Sequence, residues 1–388
     1  MRTEIGFFYF FFWLLLSIVL ISFFWVGVEY TSAELTLSRK VPAKIEEEDI
    51  LSIEAEVANK SILPFFNLVL EDALACAEPG QRHSRLLVEY LGRGGVSRLS
   101  YACFCPQRGS YKIGPLAVYF FDPFGILFLK KTYPVYSQLY VTPKTFRITR
   151  FPLLSKGVLP WFGIGAQKSS GDEDEFYGVR EYKEGDPIKR IHWLSTARKN
   201  RLIVKQFQPQ TFSRASIIFD LEEKSNFGAG KESVAEYTIR LAASTAQYLI
   251  NTDVSLEVFA YAQELVRLPF NKGKEHLGDI LRFLSLAQPK SKVSFSEMFE
   301  EFNRYISPDS TLILIMSDKD WSYLPALLPL EKRNISLLPL ILLSSSFLYP
   351  DKKAQAPLEA RARLSRVFKF NPIFFSRGDD LEEVFLRS

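Results

Sequence analysis

Histidine and cysteine are scarce in this chain, three of each in 388 residues. The cysteines, Cys76, Cys103 and Cys105, are odd in number and lack the paired Cys-x-x-Cys spacing of a structural zinc site. They therefore do not form the disulfide framework of a small secreted domain, and their rarity favours a reducing compartment. On a strand Cys103 and Cys105 point to one face and Phe104 to the other, an arrangement for packing rather than bridging. Charge of one sign is also lacking. The formal net charge is +4, from 48 basic and 44 acidic side chains, too balanced for a dedicated nucleic-acid binder. Between Gly6 and Val28 there is no charge at all.

What stands in that uncharged run is apolar and aromatic. As a helix it reaches about 35 Å, enough to cross a hydrocarbon core of about 30 Å with some tilt. Trp13, Trp25 and Tyr30 are placed to anchor it at the interfaces. It exceeds the apolar region of a signal peptide, so residues 1–33 are expected to be a retained single-pass anchor in the inner (cytoplasmic) membrane. Arg39, Lys40 and Lys44 follow it against Arg2 before it, which favours a cytoplasmic soluble part.

Residues 34–145 change to short alternating runs: Leu35–Ser38, Ile50–Val57, Phe66–Leu70 and Leu116–Phe121. Turn residues punctuate them, and the pattern predicts a small β-sandwich. The Gly92–Gly95 cluster reads as a hairpin turn, because no strand–helix context makes it a phosphate loop. Asp122-Pro123-Phe124-Gly125 is a structural corner, with Pro fixing φ and Gly free to take positive φ. Residues 214–388 alternate differently. Strands are predicted at 215–220, 254–260, 264–269, 311–318, 335–343 and 368–375, and helices at 233–251, 275–286, 295–306 and 379–386. Such alternation predicts an α/β unit with a doubly wound, mainly parallel sheet. Ligands of such sheets bind beyond the carboxyl ends of the strands, where Asp220 and Asp318 stand as candidates for a cation site.

Between these units, residues 146–213 hold the densest stretch of chemistry, Glu175–Phe207. It carries Phe176, Tyr177, Tyr182 and Trp193 with eight Lys/Arg and shows neither helical nor strand periodicity. Asp186, His192 and Ser195 invite a hydrolase reading, but members of a triad normally come from separate elements. The basic residues invite a phosphate-binding reading, but Glu181, Glu184 and Asp186 are interleaved among them. The preferred expectation is a structured joint. In it Asp186 pairs with an Arg of the same segment, Trp193 is buried between the units, and Leu202–Phe207 enters the second sheet.

The stretch closely resembles the signature of the domain-of-unknown-function-58 family of bacterial membrane-associated proteins. The resemblance runs through Phe176, Gly178, Arg180, Tyr182, Gly185, Asp186, Arg190, Ile191, Trp193, Ala197 and Arg198, with His192 where the family often has Asp. Arg108-Gly109, Gly114-Pro115 and Asp122–Gly125 also match, so it covers the chain from about residue 35 onward. It implies a β-sandwich followed by an α/β von Willebrand factor A-like domain. Many members look like they carry two membrane segments; this chain has room for one. Domains of the von Willebrand type often hold Mg²⁺ through Asp-x-Ser-x-Ser with a Thr and a second Asp. Here Asp220 and Asp318 match the acids and Ser294 the Thr, but Glu222 and Lys224 replace the serines. A metal site at Asp220 and Asp318 is therefore expected to be degenerate.

The resemblance implies a membrane-anchored, non-enzymatic interaction or assembly protein working with a MoxR-type AAA+ ATPase. The alternative is a Mg-dependent ligand-binding or adhesion module, and a hydrolase stands third. No catalytic residue, cofactor or nucleic-acid partner is expected. The residues that carry the signature are Arg180, Gly185, Asp186, Arg190, His192, Trp193 and Arg198.

Overall fold

The computed structural model describes residues 2–149, 175–183, 191–208, 214–261, 264–308, 310–333, 335–349 and 372–387. The apolar run lies in helix α1 (Arg2–Ser32), of which Gly6–Ser32 is long and apolar enough to cross a bilayer. Most of α1 is bare. Among the described side chains, only a stripe at Ser22, Val26 and Glu29, continued by Ala33 just beyond the helix, is buried, and that i, i+4, i+7 spacing is one helix face.

The stripe rests on an all-β unit of ten strands: β1 (Leu35–Lys40), β2 (Lys44–Glu46), β3 (Ile50–Asn59), β4 (Phe65–Ala73), β5 (His83–Leu91), β6 (Val96–Phe104), β7 (Gly109–Ile113), β8 (Leu116–Phe121), β9 (Phe128–Tyr133) and β10 (Ser137–Thr142). They form three sheets, ordered β1-β3-β6, β2-β10-β7 and β5-β4-β8-β9. Strand β3 buries every second side chain, as the alternation of its sequence requires. Leu37 and Val57 of the first sheet meet Leu70, Val118 and Phe120 of the third in one apolar cluster, which Val26 of α1 joins. A second cluster holds Leu51, Ile53, Leu139 and Val141 around the three cysteines. Between the clusters Arg39 is fully buried. It meets Asp72 Oδ1 at 2.5 Å and donates to the Ile113 carbonyl at 2.7 Å, while Tyr101 donates to the other Asp72 oxygen. Gly114 lies against this group at φ +102°, and a Cβ there would collide with the Val135 carbonyl, so the motif glycine is sterically required.

Among the described residues, the signature stretch forms regular elements and joins no larger sheet. It forms β11 (Glu175–Glu181), α2 (Trp193–Lys199) and β12 (Ile203–Gln208), and β11 and β12 pair antiparallel in a two-stranded sheet of their own. The expectation that Leu202–Phe207 enters the second sheet is thus corrected.

The C-terminal unit comprises β13 (Arg214–Phe219), the small hairpin β14 (Gly228–Ala229) and β15 (Glu232–Ser233), α3 (Val234–Asn251), β16 (Ser255–Tyr261), β17 (Leu265–Asn271), α4 (Gly273–Leu286), α5 (Phe295–Asn303), β18 (Thr311–Ser317), α6 (Leu324–Lys332), β19 (Ser336–Leu342), α7 (Ser344–Leu348), β20 (Ile373–Phe375) and α8 (Leu381–Arg387). Its six-stranded sheet is ordered β17-β16-β13-β18-β19-β20. All neighbours are parallel except β17, which runs antiparallel on β16. Strand β18 is buried along its whole length, which is why its sequence is a continuous apolar run. Helices α3, α4 and α8 cover one face of the sheet, and α5 and α6 cover the other. Of the strand expected at 368–375, only Ile373–Phe375 falls within the described residues as a strand.

Candidate functional site

Three places gather chemistry. The first is the carboxyl edge of the six-stranded sheet between β13 and β18. These strands are neighbours in space, but their connections leave toward opposite sides, which opens a crevice. Asp220 ends β13, and its backbone N–H donates to the Ile315 carbonyl at 3.0 Å. Its Oδ1 accepts the Glu222 N–H at 2.8 Å, which tightens the turn that follows. The carboxyl is nearly buried, and that burial pushes its pKa up to about 6 although the Glu222 amide and the Ser225 hydroxyl pull the other way. Asp318 ends β18, and its Oδ1 accepts both the N–H and the hydroxyl of Ser344, at 2.8 and 2.5 Å. Asp320 is held in the same manner by Ser322. Tyr323 forms the floor. Its hydroxyl is buried with no hydrogen-bond partner among the described residues, and its pKa is raised by burial first and then by the negative charge of Asp320, Asp220 and Asp318.

The donor set at this crevice does not fit a hard divalent cation. Such an ion needs several oxygen ligands free to turn inward. Asp220 is engaged in its own turn, Asp318 accepts from Ser344 on the neighbouring strand connection, and Ser294 is occupied as the N-cap of α5 in a capping box with Glu297. Lys224 is exposed on the turn after β13, and the Lys319 ammonium donates to its backbone carbonyl. The three cysteines are a second donor set, with Sγ atoms all within 4.8 Å of one another. Cys76 and Cys103 are 3.9 Å apart. All three are buried among apolar side chains, and Cys103 and Cys105 share a face as strand alternation requires. That is the packing expected of small apolar residues.

The second place is the contact between the two folded units. Arg108, in the loop before β7, grips Glu236 in the first turn of α3 through Nε and Nη2 at 2.8 and 2.9 Å. Its Nη1 donates to the Leu284 carbonyl at 2.7 Å, at the C-terminal end of α4. One planar guanidinium thus joins an acid near one helix start to the bare carbonyls of another helix end. Beside it Glu47, whose side chain is almost fully buried, accepts from Arg240 at 2.9 Å. Glu48 bridges Lys144 and Lys231, and those two hydrogen bonds hold its carboxyl down at about 2. Phe146 donates its N–H to the Ser244 hydroxyl oxygen and packs its ring at a tilt against Phe385, and Ile148 enters the α/β core. A polar cleft of about 330 Å³ opens along this contact, walled by Gln107, Arg108, Lys231, Glu236 and Pro289. The joint lies here, and the pattern of Arg108-Gly109 is part of it.

The third place is the signature hairpin. His192 is the N-cap of α2: its Nδ1 accepts the Ser195 N–H at 3.3 Å and lies 2.7 Å from the Ser195 hydroxyl. Of the three residues that prompted a hydrolase reading, His192 and Ser195 meet as a helix cap, and Asp186 lies outside the described residues. Asn200, in the left-handed conformation, closes the helix after Arg198 and Lys199 in its last turn. Two hydrogen bonds tie α2 to β12, from His192 N to the Ile203 carbonyl and from Ile203 N to the Thr196 hydroxyl. Ile191, Ile203 and Val204 are buried beneath. Trp193 is not buried between the units as expected. It is 65% exposed, and Leu194 is 62% exposed beside it. It is the first residue of α2, and the inward side of this short helix is already taken by His192 and Thr196. Arg180 donates to the Glu181 carbonyl, and Arg198 is exposed. Gly185, Asp186 and Arg190 lie outside the described residues, and with them the expected pairing of Asp186.

A family model described as "Protein of unknown function DUF58" matches residues 178–323, from the hairpin to the floor of the crevice at Tyr323. A curated relative from Bacillus subtilis (strain 168), the "Uncharacterized protein YeaD", is 21% identical over 244 residues. The alignment takes in 62% of this chain and spans 58% of that relative's length. Among solved structures, the CARDB domain of the PF1109 protein from Pyrococcus furiosus aligns with 29% of this chain and 96% of its own, at 16% identity and a TM-score of 0.23. Proximal thread matrix protein 1 from the mussel byssus aligns over 45% of this chain and 46% of its own, at 10% identity and a TM-score of 0.32.

Proposed function

We propose that the chain is a membrane-anchored, non-enzymatic interaction protein whose docking face is the signature hairpin. The observation that carries this reading is the exposure of Trp193 and Leu194, with Leu202 nearby, on a hairpin whose two strands pair with each other and, among the described residues, with no other strand. Exposed Arg198, Lys199 and Arg201 surround them. An exposed aromatic anchor with an arginine rim is the composition of a protein-binding hot spot, and it fits an apolar pocket with an acidic border. The partner implied by resemblance to the domain-of-unknown-function-58 signature is a MoxR-type AAA+ ATPase.

The strand order, with the third strand antiparallel at the edge, supports reading the C-terminal unit as von Willebrand factor A-like. The layered all-β unit supports a β-sandwich. In this reading α1 holds the chain in the inner membrane, with the soluble units facing the cytoplasm where an ATPase works. The test is binding of detergent-solubilised full chain to a purified MoxR-type ATPase from the same cell, with a non-hydrolysable nucleotide. Trp193→Ala is expected to weaken binding at least about tenfold while the melting temperature is unchanged. Absence of binding by the wild type, or equal binding by the variant, overturns the proposal.

A further inference from the structure

The buried stripe of α1 sets part of the β unit at a definite height along that helix. Ser22 donates to Asp122 Oδ2 at 2.8 Å, and the same carboxylate accepts the N–H groups of Phe124 and Leu127, at 3.0 and 2.7 Å. The tip of the β8–β9 hairpin is therefore fastened beside Ser22, six residues before the apolar run ends at Val28. At the helical rise that is about 9 Å inside the end of the run. The tip is unusually apolar for a loop: Phe124, Ile126, Phe128 and Leu129 are all substantially exposed. Charge returns immediately afterwards. Lys130 pairs with Glu71, and Lys131 donates at 2.8 Å to the carbonyl of Ala33, just past the helix end. A second loop lies at this upper level, where Ser61 accepts the Glu34 N–H at 2.7 Å and Ile62 and Phe66 are exposed.

We infer that the β8–β9 tip is a second membrane contact, inserted into the leaflet that the C-terminal half of α1 crosses. Asp122 fixes its depth, and Lys130 and Lys131 mark the headgroup level. The inference rests on α1 spanning the bilayer. Given that, the position of the tip follows from hydrogen bonds rather than from its composition. Its depth of about 9 Å matches the 5–10 Å to which interfacial segments bury their apolar faces. The two ammonium groups are held by Glu71 and by the Ala33 carbonyl, which fixes positive charge at the level where α1 ends, the level of the anionic headgroups. The Asp-Pro-Phe-Gly corner then has a purpose beyond turning the chain. Its aspartate satisfies the loop amides and the Ser22 hydroxyl in a place where water is excluded. A β unit held by a helix and a hairpin cannot swivel freely about the anchor, so the hairpin also orients the soluble units over the membrane.

The test is spin-label depth measurement on full chain in liposomes of phosphatidylethanolamine and phosphatidylglycerol. A label is placed at Phe124→Cys, with references at Phe12→Cys in mid-helix and Leu286→Cys on the α/β unit. The inference expects Phe124 to resemble Phe12, open to oxygen and protected at least about fivefold from a water-soluble nickel chelate relative to Leu286. A label at Phe124 as open to nickel as Leu286, with Phe12 protected, overturns the hairpin insertion and leaves the span standing. Both labels open to nickel overturn the span and the insertion together.

Discussion

At the scale of single residues, Arg108 and Asp220 carry the sharpest consequences. The Arg108 side chain is 6% exposed and Glu236 22%, and removing the guanidinium strands a carboxylate and two carbonyls at once. Arg108→Ala is expected to cost about 2–4 kcal/mol in urea unfolding and to speed proteolysis between the units, whereas a surface pair would cost under about 1 kcal/mol. Asp220 acts in the opposite sense. Its folded-state pKa of about 6 stands above the ordinary carboxylate value of 3.8, so the folded chain holds a proton that the unfolded chain releases. Stability from this group is present at low pH, falls between about pH 4 and 6, and is then constant at a loss of about 3 kcal/mol. Asp220→Asn keeps the oxygen that accepts the Glu222 amide. It is expected to be more stable than wild type at pH 7.5 and indistinguishable from it below pH 4, by urea unfolding at both. Calorimetry with Mg²⁺ adds a check on the crevice: saturable binding at micromolar Mg²⁺ that Asp220→Ala abolishes would contradict the poor donor fit argued above.

At the scale of elements, the signature hairpin separates packing from recognition. Ile203→Ala removes a buried side chain from beneath α2 and is expected to cost about 2–4 kcal/mol of local stability, read as faster hydrogen exchange across β11 and β12. Trp193→Ala removes a side chain that is 65% exposed and is expected to change stability by less than about 0.5 kcal/mol. The elements of the α/β unit were largely legible in the sequence. Apolar positions such as Val234, Leu241, Ala242 and Leu249 marked the buried face of α3, and the run Thr311–Ser317 marked a strand covered on both sides. The hairpin was not legible. Its aromatic and charged residues obey no single period, because β11, α2 and β12 are short, and among the described side chains the buried ones are Ile191, Ile203 and Val204. The same density suggested a joint, but the joint is built by Arg108, Glu47 and Glu48 against α3 and its flanks. Arg108 and Glu236 are 128 residues apart, and no local pattern announces such a pair. At the crevice, Asp220 and Asp318 could be found because each ends an apolar strand. The buried Tyr323 hydroxyl could not, because it looks like any other aromatic of the core.

At the scale of the whole molecule, the clamp at Arg108 and the contact of α1 with the β unit make one connected path. It runs from the apolar helix through the β sheets to α3 and α4. Glu48 sits in it with its carboxyl held at about 2 by Lys144 and Lys231. Its contribution is complete above the ordinary carboxylate value and is lost only as pH falls toward 2, so the joint is expected to hold across the physiological range. The central claim is that Trp193 faces a partner protein. The most direct measurement is photo-crosslinking in living cells from a benzoylphenylalanine placed at residue 193 of the full chain, with the adducts identified by mass spectrometry. The account predicts an adduct with an AAA+ ATPase that disappears when Leu194 is also changed to Asp. Adducts confined to the chain itself or to lipid would contradict it.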